Sequence, residues 1–286
     1  MSTARDGGSV SAAAGRKRSP TLIVGLILVG IHVAVALLTL VWTPYEPSDT
    51  SGSRLEAPSW EHPAGTDRLG RDLLTQIMIG SRIALAVGSG AIGIGALIGV
   101  TFGLLAAFAT RLLDDALAAL LDILIAFPTL LLAMLVVAAR GSASLSSAIL
   151  ALGIAISAIV ARLTRIVSKR VLSQDYITAS RTSGTSWPAV VFRHVLPNIW
   201  PTLVVNFALQ FGLAVIAEAS LSYLGLGTPP PNASWGRLLL EAQGTVLTAP
   251  VGAIAPGIAL VMLVLGMNFV ADGLRDVGDP TRRRTR

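Results

Sequence analysis

The stretch IALAVGSGAIGIGALIGVTFGLLAAF, residues 83–108, carries no charged side chain, and neither does TLIVGLILVGIHVAVALLTLV at 21–41, where His32 is the one mildly polar exception. About 20 consecutive apolar residues cross the roughly 30 Å hydrocarbon layer of a bilayer as an α-helix. Inside that layer no water is present to bond the backbone, so each segment must satisfy its own N–H and C=O groups, which a helix does. Both stretches meet this condition, and the same pattern recurs further along the chain. The spacing predicts six spans, at about 21–41, 83–108, 116–139, 145–161, 199–222 and 246–270.

Composition agrees with a membrane protein. Hydrophobic residues make up 53% of the 286 residues and charged residues only 13%, against about a quarter charged in soluble domains. There is no cysteine, which removes disulfides and thiolate metal sites. His32, His62 and His194 lie far apart and form no metal-ligand spacing. The net charge of +6 flanks the apolar runs, so it reads as membrane topology rather than as a nucleic-acid surface. The first apolar run is longer than the core of a signal peptide, and Trp42-Thr43-Pro44 is no small-residue cleavage site, so it is expected to be a retained span.

The chain therefore divides into a disordered N-terminal tail over 1–20, a first transmembrane helix over 21–41 and an outer loop over 42–81. A core of five further spans follows over 82–272, and a basic tail over 273–286. With both termini in the cytoplasm, sixteen of the 22 Lys and Arg residues fall inside and six fall outside: Arg54, Arg68, Arg71, Arg82, Arg140 and Arg237. That balance follows the positive-inside rule and requires an even number of spans.

Small residues recur every fourth position in the second span, at Ala91, Gly95, Gly99, Gly103 and Ala107. On a helix they form one smooth stripe that admits a close backbone neighbour, either in the same chain or in another subunit. Asp122, Asn206, Gln210, Glu218 and Asn268 are the polar residues within or at the ends of spans. Placing a charge at mid-membrane costs at least about 2.5–3.5 kcal/mol, so Asp122 and Glu218 are expected near span ends. Pro128, Pro201, Pro250 and Pro256 permit kinks. An ion-gradient-driven secondary transporter is the alternative reading of a polytopic chain, but it calls for midplane ion ligands and broken repeat helices, which this sequence does not display.

The inner loop over 162–198 is long, basic and amphipathic, and long connections tend to be functional. Val171–Ser183 reads as a short helix ended by Gly184, followed by Trp187-Pro188 and by Arg193-His194-Val195-Leu196-Pro197-Asn198. Tyr176, Ala179 and Ser183 recur at helical spacing, with Ile177 and Ser180 beside them, a surface suited to a groove in another protein or to the bilayer surface beside Arg165, Lys169 and Arg170.

Four stretches in order, GTDRLGRDLL at 65–74, YITASRTSGTSWPAVVFRHVLPN at 176–198, EASLSYLGLGTPPPNASWGRLL at 218–239 and NFVADGLRDVGDP at 268–280, resemble the permease subunits of ATP-binding-cassette importers of the dipeptide, oligopeptide and nickel group. The resemblance covers nearly the whole chain. It implies an all-α, non-catalytic transport subunit of the bacterial plasma membrane, which forms a path for dipeptides or oligopeptides by alternating access. It also implies a second homologous permease, one or two ATPase subunits that bind ATP and Mg, and an extracytoplasmic substrate-binding protein. By the same resemblance, Tyr176, Ile177, Ala179, Ser180, Ser183, Gly184, Arg193, His194, Pro197 and Asn198 belong to the loop that couples to the ATPase. One departure stands out: Thr178-Ala179-Ser180 occupies the place where the family often has Glu-Ala-Ala, so an ion pair from that glutamate does not carry over. The two lysines, Lys17 and Lys169, follow Arg16 and Ser168, and neither sits in a glycine-rich phosphate-binding loop. The chain is thus expected to hold no cofactor of its own.

Overall fold

The computed structural model describes residues 19–229 and 233–278. The expected N-terminal tail therefore lies, up to residue 18, outside the described residues, as do residues 279–286 of the expected C-terminal tail. Five helices are long and apolar enough to cross a membrane, and a sixth crossing is made if a bent pair counts as one. Helix α1 spans Pro20–Leu38, with proline at the helix start, where its missing N–H has no helical partner to lose. Helix α10, Val251–Gly278, packs along α1, and the Ser19 hydroxyl donates to Asp276 at 3.4 Å. The start of α1 thus lies beside the end of α10. The two described chain ends share one end of the bundle, as an even number of crossings demands.

Helix α2 runs over Leu73–Ala107, beginning ten residues before the expected span, so the loop placed at 42–81 ends at residue 72. The difference has a local cause. Gln76, Ser81 and Arg82 interrupt the apolar run, yet Gln76 is buried and donates through Nε2 to the Pro47 carbonyl at 2.8 Å. Asp72 caps the helix by accepting from the Thr75 N–H at 2.7 Å, as an N-cap carboxylate does. Protein contacts, rather than lipid, surround Gln76 and Asp72.

The span expected over 116–139 is two helices, α3 at Arg111–Ala126 and α4 at Thr129–Ala139, bent by 90°. A residue before proline avoids the helical region, and Phe127, which precedes Pro128, has ψ 127°. Helix α5 covers Leu145–Leu172, eleven residues beyond the expected 161. The charges from Arg162 onward end the apolar stretch but not the helix, because acids on α3 meet them. Arg165 donates to both oxygens of Asp114, at 2.6 and 2.9 Å, Lys169 pairs with the same carboxylate, and Arg162 pairs with Asp122 at 3.1 Å.

The core forms where α2 and α5 cross, with Ile83, Val87, Ala91, Leu152, Ile156 and Val160 buried together. The glycine stripe faces α5 of the same chain. A Cβ at Gly99 would stand 2.6 Å from that of Val160 and 2.7 Å from the Ser157 carbonyl, and one at Gly95 would stand 2.8 Å from Ile156 Cγ2. Gly103 likewise abuts the Ala161 carbonyl. Helix association in lipid rests on such close packing, since lipid tails are as apolar as leucine.

Candidate functional site

Three features converge at the end of the bundle that holds Ser19 and the last turn of α10, and the hairpin after α5 is the first. Ser173 and Gln174 break the chain, so the short helix expected over 171–183 is confined to α6, Asp175–Thr182. Gly184 adopts φ +85°, a left-handed conformation open to glycine at little cost. In that turn the Gly184 N–H donates to the Arg181 carbonyl at 3.0 Å and the Thr185 N–H to the Ser180 carbonyl at 3.2 Å. Helix α7, Trp187–Val190, follows, then a π-helical turn over Val191–Val195, then α8 over Leu196–Tyr223. The three run together as one long helix. Pro197 lies in the first turn of α8, directly after the π turn, in which the Leu196 N–H reaches back five residues to the Val191 carbonyl.

Ile177 is 2% exposed and packs with Val190, Val195, Ile199 and Leu203. It pins α6 to its own chain, and a partner protein cannot reach it. Around it, Tyr176, Thr178, Ala179, Thr182, Ser183 and Gly184 are exposed, as are Arg193, Pro197 and Asn198. His194 and Ser180 lie between these groups. The His194 ring sits edge-on to Tyr176, with centroids 6.0 Å apart, and its Nε2 lies 3.3 Å from the Ser180 hydroxyl. That hydroxyl donates to Thr185 Oγ1 at 2.9 Å, and the Asn198 amide donates to the His194 carbonyl at 2.6 Å. Sequence reasoning missed the brace on the far side of the turn. The Arg181 guanidinium stacks 4.2 Å from the centroid of the Trp187 ring, and Trp187 meets Phe108, at the end of α2, edge-on at 5.3 Å. A cation over an indole face is among the stronger interactions of its kind, and here it ties the turn to α2.

The second feature is a cleft of about 370 Å³ between α5, α8 and α10, whose lining includes Leu163, Thr202, Val205, Asn206 and Arg275. The third is the α3–α5 ion cluster described above.

The opposite end of the bundle is organised by the 65–74 motif. Asp67 Oδ1 accepts from the N–H groups of Leu69, at 2.7 Å, and Arg71, at 2.9 Å. Arg71 donates through Nε to Asp67 at 2.5 Å and through Nη2 to Glu241 at 2.7 Å. Glu241 also takes Arg237 at 2.8 Å, both on helix α9, Trp235–Ala242. The motif therefore clasps the loop to α9. Beneath it His62 sits 3.0 Å from Asp72 and against the Tyr45 ring. Desolvation, and then the Asp72 charge, push the Tyr45 phenol above its usual range. Trp235, 1% exposed, drops its indole N–H onto the Ile77 carbonyl at 3.0 Å. Its ring packs edge-on against His32, with centroids 5.6 Å apart. The His32 nitrogens lie 2.9 Å from the Leu28 carbonyl and 3.1 Å from that of Ala259, so α1, α2, α9 and α10 meet around this pair. Of the polar residues noted in the spans, Glu218 is buried and accepts from the Ser222 hydroxyl at 2.6 Å.

A bundle of five to six membrane helices, carrying a short braced helix that projects from one end, is the architecture of a multi-pass transport permease. Residues 99–284 match the family described as binding-protein-dependent transport system inner membrane component, and the chain belongs to that family: it is a permease subunit of an ABC importer. It is 36% identical to a dipeptide transport system permease protein of Alkalihalophilus pseudofirmus, over 92% of this chain and 87% of that one. It is 38% identical to a glutathione transport system permease protein of Pectobacterium atrosepticum, over 89% and 86%. An inward-facing structure of a methionine ABC transporter shares the fold, with a TM-score of 0.61 at 22% identity, over 71% of this chain and 97% of that one. Permeases of this kind work with an ATPase and a substrate-binding protein.

Proposed function

We propose that this chain forms half of a translocation path for dipeptides or oligopeptides, the other half being a second, homologous permease. One or two ATPase subunits bind ATP and Mg and hydrolyse the nucleotide, and this chain contributes no catalytic group. Both termini and α6 face the cytoplasm of a bacterial cell, and the 42–72 loop and α9 face an extracytoplasmic substrate-binding protein. The two permeases alternate between inward and outward access as the ATPases close and open.

The observation that carries the reading is the construction of α6. Ile177 on its inner face and the Arg181–Trp187–Phe108 stack fix it to α8 and α2, while Tyr176, Ala179, Ser183 and Arg193 remain exposed. A helix braced in this way transmits a push as a rigid body, and its small exposed side chains with one aromatic suit a groove in a partner. The peptide substrate follows the names of the relatives, and the net basic charge of this end follows the positive-inside rule. Tyr176→Ala and Gly184→Pro, tested separately, are expected to lower transport and substrate-stimulated ATPase activity while the chain still inserts and assembles. Unchanged transport in both variants would refute the coupling role of α6.

A further inference from the structure

The cleft between α5, α8 and α10 has a chemical bias that packing alone does not explain. Its walls at Leu163 and Val205 are apolar, and its polar groups are Thr202, Asn206 and Arg275. Among the described residues no carboxylate lines it and Arg275 has no ion-pair partner. The Asn206 carbonyl oxygen is buried without a hydrogen-bond partner, which is a standing cost in a protein interior. Asn206 itself lines the cleft, and its amide turns about a soft terminal torsion. The volume of about 370 Å³ lies within the range of roughly 300–1,000 Å³ that holds small ligands. Apolar walls with a few convergent polar groups are also the usual make-up of such sites.

We infer that this cleft is a holding station for the carboxylate end of a peptide in transit. Arg275 takes the terminal carboxylate, Asn206 accepts from the adjoining backbone N–H, Thr202 bonds whichever oxygen remains, and Leu163 and Val205 receive the last side chain. The absence of an acidic lining residue means that the free ammonium end is not read here, so the station recognises one terminus only. This deepens the peptide reading of the preceding subsection and rests on it.

The test uses the assembly that co-purifies with this chain, in phosphatidylcholine nanodiscs, and a photoreactive dipeptide, alanyl-photoleucine, in free, C-amidated and N-acetylated forms. Adducts are mapped by mass spectrometry. The free and N-acetylated forms are expected to label residues 201–209. The C-amide and Arg275→Gln should each reduce labelling about tenfold, the scale of one lost charge-assisted hydrogen bond, and Asn206→Leu should reduce it by a smaller factor, about threefold to tenfold, since the bond it removes is neutral. Gel filtration of each variant with its partner subunits shows that the assembly is intact. Equal labelling by the C-amide, no adduct at 201–209, or unaltered labelling in both variants would overturn the station. So would complete displacement of the probe by phosphatidylglycerol in the disc, which would assign the cleft to an anionic lipid. ATPase stimulation by binding protein and peptide, read in the unmodified assembly, separates the two levels. Stimulation without adducts overturns the station and leaves the permease function standing, and no stimulation by any peptide overturns both.

Discussion

Trp235 sits on Gly80, and this contact yields a double-mutant test of how α9 is held to the bundle. A Cβ added at Gly80 would fall well inside contact distance of the indole Cδ1 and Nε1. The ring must then retreat by about 1 Å to regain an ordinary separation of roughly 3.5–4.0 Å. It has little freedom to do so, because its N–H is bonded to Ile77 at 3.0 Å and its edge meets His32. Overpacking costs about 1–3 kcal/mol, and leaving the indole N–H unpaired costs about 1–3 kcal/mol more; set against the roughly 0.8–1.0 kcal/mol of helix propensity that alanine gains over glycine, Gly80→Ala should destabilise by roughly 1–5 kcal/mol. Trp235→Ala should cost about 3–5 kcal/mol, as large-to-small changes at buried aromatic sites do. In lipid, most of that loss is packing, since moving an apolar group from protein to acyl chains releases little energy. Once the ring is gone, the three atoms nearest that Cβ are gone with it, and the gain of about 0.8–1.0 kcal/mol of helix propensity is no longer opposed by them. The cycle should therefore show strong coupling, far above the ~0.5 kcal/mol within which independent sites add. Thermal stability of the four forms in nanodiscs, followed by gel filtration after heating, measures it. If Gly80→Ala costs as much without Trp235 as with it, Trp235 is not what fills the Gly80 notch.

Two further outcomes follow from the ion pairs. Glu241→Gln removes the carboxylate that holds both Arg71 and Arg237, so the 42–72 loop should become more sensitive to protease while the membrane core keeps its heat stability. Unaltered cleavage of the loop would show that the clasp is held by packing instead. Asp114→Asn strips Arg165 and Lys169 of their shared partner. The cost should fall below the roughly 3–5 kcal/mol of a fully buried pair, because Lys169 is 40% exposed. Hydrogen exchange confined to 111–126 should rise, and a rise spread over α5 as well would mean that α3 and α5 open as one unit.

The 83–108 run alone fixed the solvent of this chain. Polar backbone in hydrocarbon leaves helices as the form for these apolar stretches, so the class of fold and the approximate spans follow from composition and length. The family followed from the resemblance of four ordered motifs, and within those motifs turn glycines encode local geometry that sequence displays directly. Gly184 is the clearest case, since its φ of +85° needs no distant contact. Where polar groups are neutralised by residues far along the chain, hydropathy misleads. Helix α5 runs on past Ala161 because Asp114 and Asp122 from α3 answer its cations, and α2 starts at Leu73 because Pro47 and Asp72 satisfy its first turns. The burial of Ile177 beside an exposed Tyr176, the clasp of Glu241 on Arg71, 170 residues away, and the orphan acceptor of Asn206 in its cleft are tertiary facts. Each depends on which side chain meets which across the bundle, and helical spacing sets the face a residue occupies on its helix but not the neighbour that face will find.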